Sequence, residues 1–381
     1  MSAWLIVPRD PLIFRDGKPF TGTPGERAKS MDFPYPSTIA GAVRTRSGTK
    51  PNSAFDTSKI NELLGKTVRG PFLVELEHDG RIKTRYFPAP ADALIVKDDN
   101  NQTRRYALGP LTYAHTDLTK NLVGYLPHVK DKAYDEAPRF WSWEEMKKWL
   151  VEAKDDSPDL KTIGLEGLPR DCRVHVRIRK DSQTSEEGAL FQTSGMEFMR
   201  AEWNAEKRLH DAHTLAIALE TEADLTEGAD SLGGERRIVN WRSAENFLPD
   251  CPVTSAIKSS GHCRLILATP AHFKNGYLPD YMESEFKVKV EAVALPRYQT
   301  ISGWDYAAVN ADGKRGAPKP TRRLVPAGSV YFLNLENANV EKFIEEVWLK
   351  AVSDDEQSRK DGFGIALLGA WDGTVKEMEV K

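Results

Sequence analysis

The sequence predicts an α+β protein built from two βαββαβ units, the first carrying a large insertion, and three observations predict it. From Cys263 to Trp371, apolar runs and amphipathic stretches follow one another as strand, helix, strand, strand, helix, strand. The first half repeats that order more loosely. Within that half, from Asp98 to Arg170, polar and proline-bearing segments interrupt the pattern around one clear helix. At 381 residues the chain has room for roughly two or three domains.

The first unit opens with apolar runs at Ala3 to Val7 and Leu12 to Phe14, followed by a glycine- and proline-rich loop from Arg15 to Pro36. Ser37 or Thr38 can cap a helix through about Thr45, with Ile39, Ala40 and Val43 on one face and Gly48 as its stop. A second helix is expected over Ser58 to Gly65. Phe72 to Glu77 and Ile82 to Phe87 read as a hairpin, because Asp79-Gly80 favours a tight turn. In the insertion, Ser142 and Glu145 form a capping box, Trp141 can staple onto Met146, and Trp149 and Leu150 extend the apolar face. Such an insertion either contacts a partner or packs as a local lid. His175 to Lys180, Ala189 to Met199 and Thr214 to Glu220 read as strands, and the domain boundary falls within Ser243 to Gly261. The domains are therefore 1–250 and 251–381.

The second unit is more regular. Strands are expected at Cys263 to Ala268, Phe286 to Leu295, Val330 to Leu335 and Gly364 to Trp371, with a short helix near Tyr277 to Glu285. Asn339 can cap a helix whose Val340, Phe343, Ile344, Val347 and Trp348 fall on one face. That order is the ferredoxin-like (RRM-like) unit.

Apolar residues at 40 % and charged residues at 29 % describe an ordinary globular protein. No apolar run approaches the ~18 residues of a membrane span, and the N-terminal stretch has no basic leader or cleavage site, so the cytoplasm is the expected location. Three scattered cysteines, Cys172, Cys251 and Cys263, form no C-x-x-C pair, which argues against a disulfide framework or zinc knuckle. The net charge of -3 argues against a generic nucleic-acid coat. Its distribution is uneven: Pro296 to Pro326 holds six basic side chains against two acidic ones, while Ile217 to Glu235 holds six acidic side chains and no Lys or Arg. A basic island on an acidic chain suits a grip on an anionic ligand at one place.

That island interleaves Arg297, Lys319, Arg322 and Arg323 with Tyr298, Trp304 and Tyr306, the pattern of single-stranded RNA binding by cations and stacking aromatic rings. A solvated strand-edge loop has the same composition. GGERR, Gly233 to Arg237, offers two further arginines, unless they pair with the acidic run before them. Gly362, Gly364 and Gly369 in GFGIALLGAWDG either form a tight turn or admit a second backbone, such as RNA phosphate. Their spacing is not the dinucleotide G-x-G-x-x-G. No metal motif or phosphate loop occurs, and no cofactor is expected. His210 and His213 read as a solvated turn, and His115 and His128 as loop histidines without a matched acid–base partner.

PLIFRDGKPF at Pro11 to Phe20, FPYPSTIAGAVRT at Phe33 to Thr45, EEGALF at Glu186 to Phe191, GGERR, SGWD with PKPTRRLVPAGSVYF, and the closing GFG loop together resemble the RAMP superfamily of CRISPR proteins. The nearer likeness is to the family of third subunits of the Cmr complex, the type III-B effector. The resemblance implies a non-catalytic scaffold that holds the repeat-derived 5′ handle of a guide RNA. It implies as partners a large polymerase-palm subunit, a neighbouring backbone subunit and nearby target RNA, with no membrane. On this chain the RNA-binding residues would be Ser37, Thr38 and Arg44 at the first helix, Arg236 and Arg237, Lys319, Arg322 and Arg323 for charge, Trp304 for stacking, and Gly362 and Gly364 for close approach. The alternative is a metal-independent endoribonuclease on the same fold, because fold alone does not fix chemistry.

Overall fold

Alternation in the first strand, β1 (Ser2–Pro8), turns Ala3 and Leu5 to one face and Trp4 and Ile6 to the other, and all four are buried. A strand apolar on both faces needs a layer on each side, and the computed structural model supplies both. It describes residues 1–15, 31–49, 54–98, 100, 102–111, 132–309, 313 and 315–376. After β1 come α1 (Pro36–Gly48), α2 (Ile60–Gly65), β2 (Val68–Leu76) and β3 (Ile82–Pro88). The insertion contributes β4 (Ala93–Lys97), β5 (Thr103–Ala107), β6 (Phe140–Ser142), α3 (Trp143–Val151), α4 (Leu160–Ile163) and β7 (Gly164–Leu165). Two hairpins follow, β8 (Arg170–Ile178) with β9 (Ser185–Met196) and β10 (Met199–Asn204) with β11 (Leu209–Thr221), and then β12 (Gly228–Leu232) and β13 (Arg237–Ala244).

The first sheet runs β13-β1-β11-β2 at its centre, with antiparallel ladders. Taken in chain order, these four strands stand 4-1-3-2. Between β1 and β2, α1 lays Ile39, Ala40 and Val43 against Trp4, Ile6 and Ile217. Its N-cap is Tyr35 with Pro36 in the first turn, so the helix starts ahead of the expected Ser37 or Thr38; proline's fixed φ suits that position. Between β11 and β13 the second crossover is not a helix. The acidic, glycine-bearing stretch there has no 3.6-residue apolar period, and it forms β12 and a single turn at Gly234–Arg236.

The second half begins with α5 (Thr254–Ser260), β14 (His262–Leu267), α6 (Asp280–Phe286) and β15 (Lys289–Ala294). A chain of short strands follows: β16 (Gln299–Ile301), β17 (Trp304–Val309), β18 (Arg315–Pro318) and β19 (Arg322–Leu324). Then come β20 (Val330–Asn334), α7 (Val340–Val347), α8 (Glu356–Asp361) and β21 (Ala366–Ala370). The sheet order β15-β20-β14-β21 is again 4-1-3-2 read from β21, with antiparallel ladders. As expected, Asn339 caps α7, accepting from the Lys342 backbone N–H at 3.1 Å. Among the described residues no helix is long and apolar enough to cross a membrane.

The outer face of the second sheet is covered by α5, α6 and α7 through Ile257, Met282, Phe343 and Val347. Its inner face meets the inner face of the first sheet in one shared core, where Leu5, Phe72 and Ala216 pack with Ile266, Phe332 and Leu367. The insertion is part of that seam: α3 buries Trp143, Met146, Trp149 and Leu150 there. Ser142 caps it, accepting from the Glu145 N–H at 3.4 Å, but the Glu145 carboxylate turns to Arg105 at 2.8 Å instead of back to the cap. Of the two readings of the insertion, α3 takes the packed one.

A charged pair is sealed in the seam. On β14, Cys263 and Leu265 face outward to the helices, so Arg264 points inward. Its Nη1 donates to Asp92 at 2.5 Å, with the side chains 2 % and 0 % exposed. Its Nη2 donates to the Trp149 carbonyl at 2.6 Å and its Nε to the Ala370 carbonyl at 2.9 Å, while Asp92 also accepts from Trp149 Nε1 at 2.9 Å. Breaking a buried pair strands one charge, which costs about 3–5 kcal/mol. Arg264→Met should therefore lose that much stability by urea unfolding, and Asp92→Leu with Arg264→Met should recover a large share of it.

Candidate nucleic-acid interface

The basic island folds into an arm. Gln299 to Ile301 pairs antiparallel with Arg322 to Leu324 at its root, and β17 pairs with β18 beyond it. The Lys319 N–H donates to the Gly303 carbonyl at 2.8 Å, joining the two ladders. At the root, Ile301 and Leu324 point inward and are buried with Phe363, against which Tyr35 packs. Three segments far apart in sequence thus meet here: the arm, the closing glycine loop and the entry to α1.

The arm's cations divide by partner. Arg297 and Lys319 are exposed and form no ion pair among the described residues. Arg323 is also exposed, with its guanidinium 5.0 Å from the ring centre of Tyr298, itself 51 % exposed. An open ring beside a cation is a stacking platform for a base. Arg322 instead turns inward: its Nη1 donates to Ser358 Oγ at 3.0 Å, and its guanidinium lies 5.6 Å from the ring centre of Phe363. Trp304 has its backbone in β17, and its side chain lies outside the described residues, as do His115 and His128.

The closing glycines serve the fold. Gly362 takes φ +92° as the C-cap of α8, and a β-carbon there would stand 2.6 Å from the Gly70 carbonyl oxygen and 2.8 Å from that of Val68. Gly364, at φ +83°, would press on the Ser353 backbone at 3.0 Å. Both are buried. The close approach they permit here is to the chain's own backbone. Gly369 stands opposite Arg264 and leaves room for the guanidinium in the seam.

Arg44 is likewise committed within the fold. Its Nη1 pairs with Asp361 at 2.6 Å, its Nε donates to the Leu63 carbonyl at 2.9 Å and its Nη2 to that of Lys66 at 3.2 Å, with only 11 % of the side chain exposed. It ties α1 to α2 and α8, leaving no open donor set for a phosphate. Ser37 and Thr38 lie half-buried in the first turn of α1. In GGERR, Gly233 at φ +77° lets the turn approach the Ile13 carbonyl, Arg237 pairs with Glu235 at 2.7 Å, and Arg236 is exposed with no ion pair among the described residues. The pairing alternative therefore holds for Arg237.

Beneath the arm root, Asp355 caps α8 by accepting from the Ser358 N–H at 2.7 Å and faces His272 Nδ1 at 2.8 Å. Burial opposes its ionisation, but hydrogen bonds from His272 and Ser358 outweigh that and hold its carboxyl below the usual range. Sequence reasoning also misses the place of His213. It is not in a solvated turn: it lies half-buried on β11 with Nδ1 2.9 Å from the Glu75 carboxylate. The alternation of Leu73 and Glu75 on one strand with His213 and Leu215 on its neighbour is the signal that pairs them.

Residues 4–371 match the family of CRISPR-associated proteins designated Cas_Cmr3. The chain belongs to that family. No curated protein matches the sequence. Among solved structures, it is similar to a chain of the type III-B Cmr-beta bound to cognate target RNA, at 17 % identity and TM-score 0.48 over 95 % of each chain. A second chain, from Cmr-beta bound to cognate target RNA and AMPPnP, is similar at 20 % identity and TM-score 0.43, over 87 % of this chain and 86 % of that one. At such values no residue role passes from those chains to this member of the family.

Two outcomes are expected. Gly362→Ala should destabilise the chain by about 1–3 kcal/mol, from the positive φ and the facing carbonyls together, measured by thermal unfolding. The depressed Asp355 carboxyl contributes stability that is complete above the unfolded value, about pH 3.9, and is lost as pH falls through its lower folded value. Asp355→Asn should lower stability at about pH 7 and flatten its decline below about pH 4 in urea titrations.

Proposed function

We propose that this chain is the guide-RNA-handle-binding subunit of a type III-B CRISPR ribonucleoprotein, the third subunit of a Cmr complex within the RAMP superfamily. Membership of the Cas_Cmr3 family supports the class of assembly. The observation that carries the RNA role is the arm, where Arg297, Lys319 and Arg323 stand without a carboxylate partner among the described residues, beside the open ring of Tyr298. Cations free of carboxylates neutralise phosphate and release counterions, and the ring supplies a stacking face. Arg236 would extend the same charge, with Trp304 as a further stacking residue.

In this reading the two 4-1-3-2 strand orders are two ferredoxin-like units, the first without its second helix. The chain works by holding RNA and does no chemistry of its own. Its protein partners are a large polymerase-palm subunit and a neighbouring backbone subunit, with target RNA close by. Arg44, Gly362 and Gly364 act as support for the arm root and stand behind the RNA-facing set.

The test is binding of labelled guide RNA to the chain, with the repeat-derived 5′ handle or a scrambled 5′ end of equal length. Tighter binding to the handle is expected. Lys319→Glu with Arg323→Glu should weaken it by about tenfold or more and reduce the slope of log K against log salt by roughly 0.7 for each phosphate no longer neutralised. Equal affinity for the two RNAs would reduce the role to a general clamp. Unchanged affinity in the variant would remove the arm from the RNA surface, and cut RNA would show a nuclease.

A further inference from the structure

A cavity of about 400 Å³ lies at the end of the first sheet where β1, β2, β11 and β13 meet, built on elements other than the arm. Its lining includes Arg9, just past the end of β1, and Arg242, which stands opposite Leu5 on β13. Neither guanidinium makes a hydrogen bond or ion pair among the described residues, although Arg242 is half-buried. Arg242 is seated beneath the β2–β3 turn, where Gly80, at φ +85°, leaves it room: any side chain at residue 80 would strike the guanidinium. The carboxylate of that turn, Asp79, is taken by Arg81 at 2.7 Å.

The other acids of the cavity are mostly answered. Glu75, 3 % exposed, accepts from Lys83 at 2.8 Å, Tyr86 at 2.9 Å and His213 Nδ1 at 2.9 Å. Burial opposes its ionisation, yet these hydrogen bonds outweigh it and keep the carboxyl below the usual range. Asp211 accepts from Asn204 at 2.7 Å and Lys207 at 3.0 Å. Among the described residues, Glu77 alone of the lining acids has no hydrogen-bonded partner for its side chain. Two rigid forks of N–H donors thus face one cavity with a single uncommitted carboxylate. A guanidinium held without an acceptor matches the oxygens of a phosphate, which it can bind through two parallel hydrogen bonds.

We propose that this cavity is a phosphate-ester site, distinct from the arm, in which Arg9 and Arg242 hold the phosphate. Lys83 and Lys207 neutralise Glu75 and Asp211, so the two arginines outweigh the one remaining acid of the lining, Glu77. The phosphate comes either from a free mononucleotide or from the backbone of an RNA strand crossing the first sheet.

The test titrates the full chain by calorimetry with inorganic phosphate, with AMP and with a short single-stranded RNA. Binding is expected, weakened about tenfold by Arg9→Gln or by Arg242→Gln, the value of one charge-assisted contact. Glu77→Gln should tighten it several-fold, a gain that misfolding cannot produce. Lys319→Glu on the arm should leave the phosphate and AMP titrations unchanged, which separates this site from the handle surface. Response to phosphate and AMP assigns the site to a free nucleotide, and response to RNA alone, with the same arginine losses, assigns it to a strand. No binding of any probe at roughly millimolar concentration, or equal binding by the arginine variants, overturns the proposal.

Discussion

The seam between the two sheets is built around a charge that cannot reach water. Arg264 extends from the second sheet into the seam, meets Asp92 from the segment after β3, and caps the last carbonyls of α3. The C-terminal end of a helix carries partial negative charge, so a guanidinium suits it. One group therefore joins three pieces of chain that sequence separates widely. Apolar packing has no direction of its own, whereas the hydrogen bonds of this ion join fixed points on β14, α3 and the segment after β3. Gly369 belongs to the same device, since only a residue without a β-carbon leaves the guanidinium its place.

Arginine serves two purposes in this molecule, and its partners distinguish them. Arg44, Arg105 and Arg264 are largely buried, paired with carboxylates and joined to carbonyls or aromatic rings. They tie helices and sheets. Arg9, Arg236, Arg242 and Arg297 make no side-chain hydrogen bond or ion pair among the described residues, although Arg242 lies in the field of Glu227. Desolvating a cation is costly unless it is paired, so the first set lies inside and the second at surfaces and cavity walls. Arg322 stands between them, buried enough to brace the arm root through Ser358 and Phe363.

Much of the fold is legible in the sequence because its signals are local. The 3.6-residue period of α7, the Ser142 cap of α3 and the Asp79-Gly80 turn all stand at the positions their chemistry predicts. What is not legible depends on partners distant in sequence. Nothing near Arg44 announces Asp361, and nothing near Gly362 announces the carbonyls of Val68 and Gly70. A glycine records that a backbone comes close without recording whose backbone it is. The strand β13 gives no warning either, because only Val239 and Trp241 are buried and the apolar Ile238 beside them faces outward, which blurs the alternation. The basic arm is legible because charge excess survives without any knowledge of packing.

The shared core has a consequence for how the chain can be divided. Each sheet owns an outer core of its own, closed by α1 on one side and by α5, α6 and α7 on the other. The inner faces have no cover except each other and α3. The linker between them is itself fastened, with Trp348 Nε1 donating to the Pro249 carbonyl at 2.8 Å. A cut at that linker would leave both halves with a bare apolar face and would strand Arg264 on one fragment and Asp92 on the other. The two sheets share a strand order and close on a single core, so neither half carries a complete one alone.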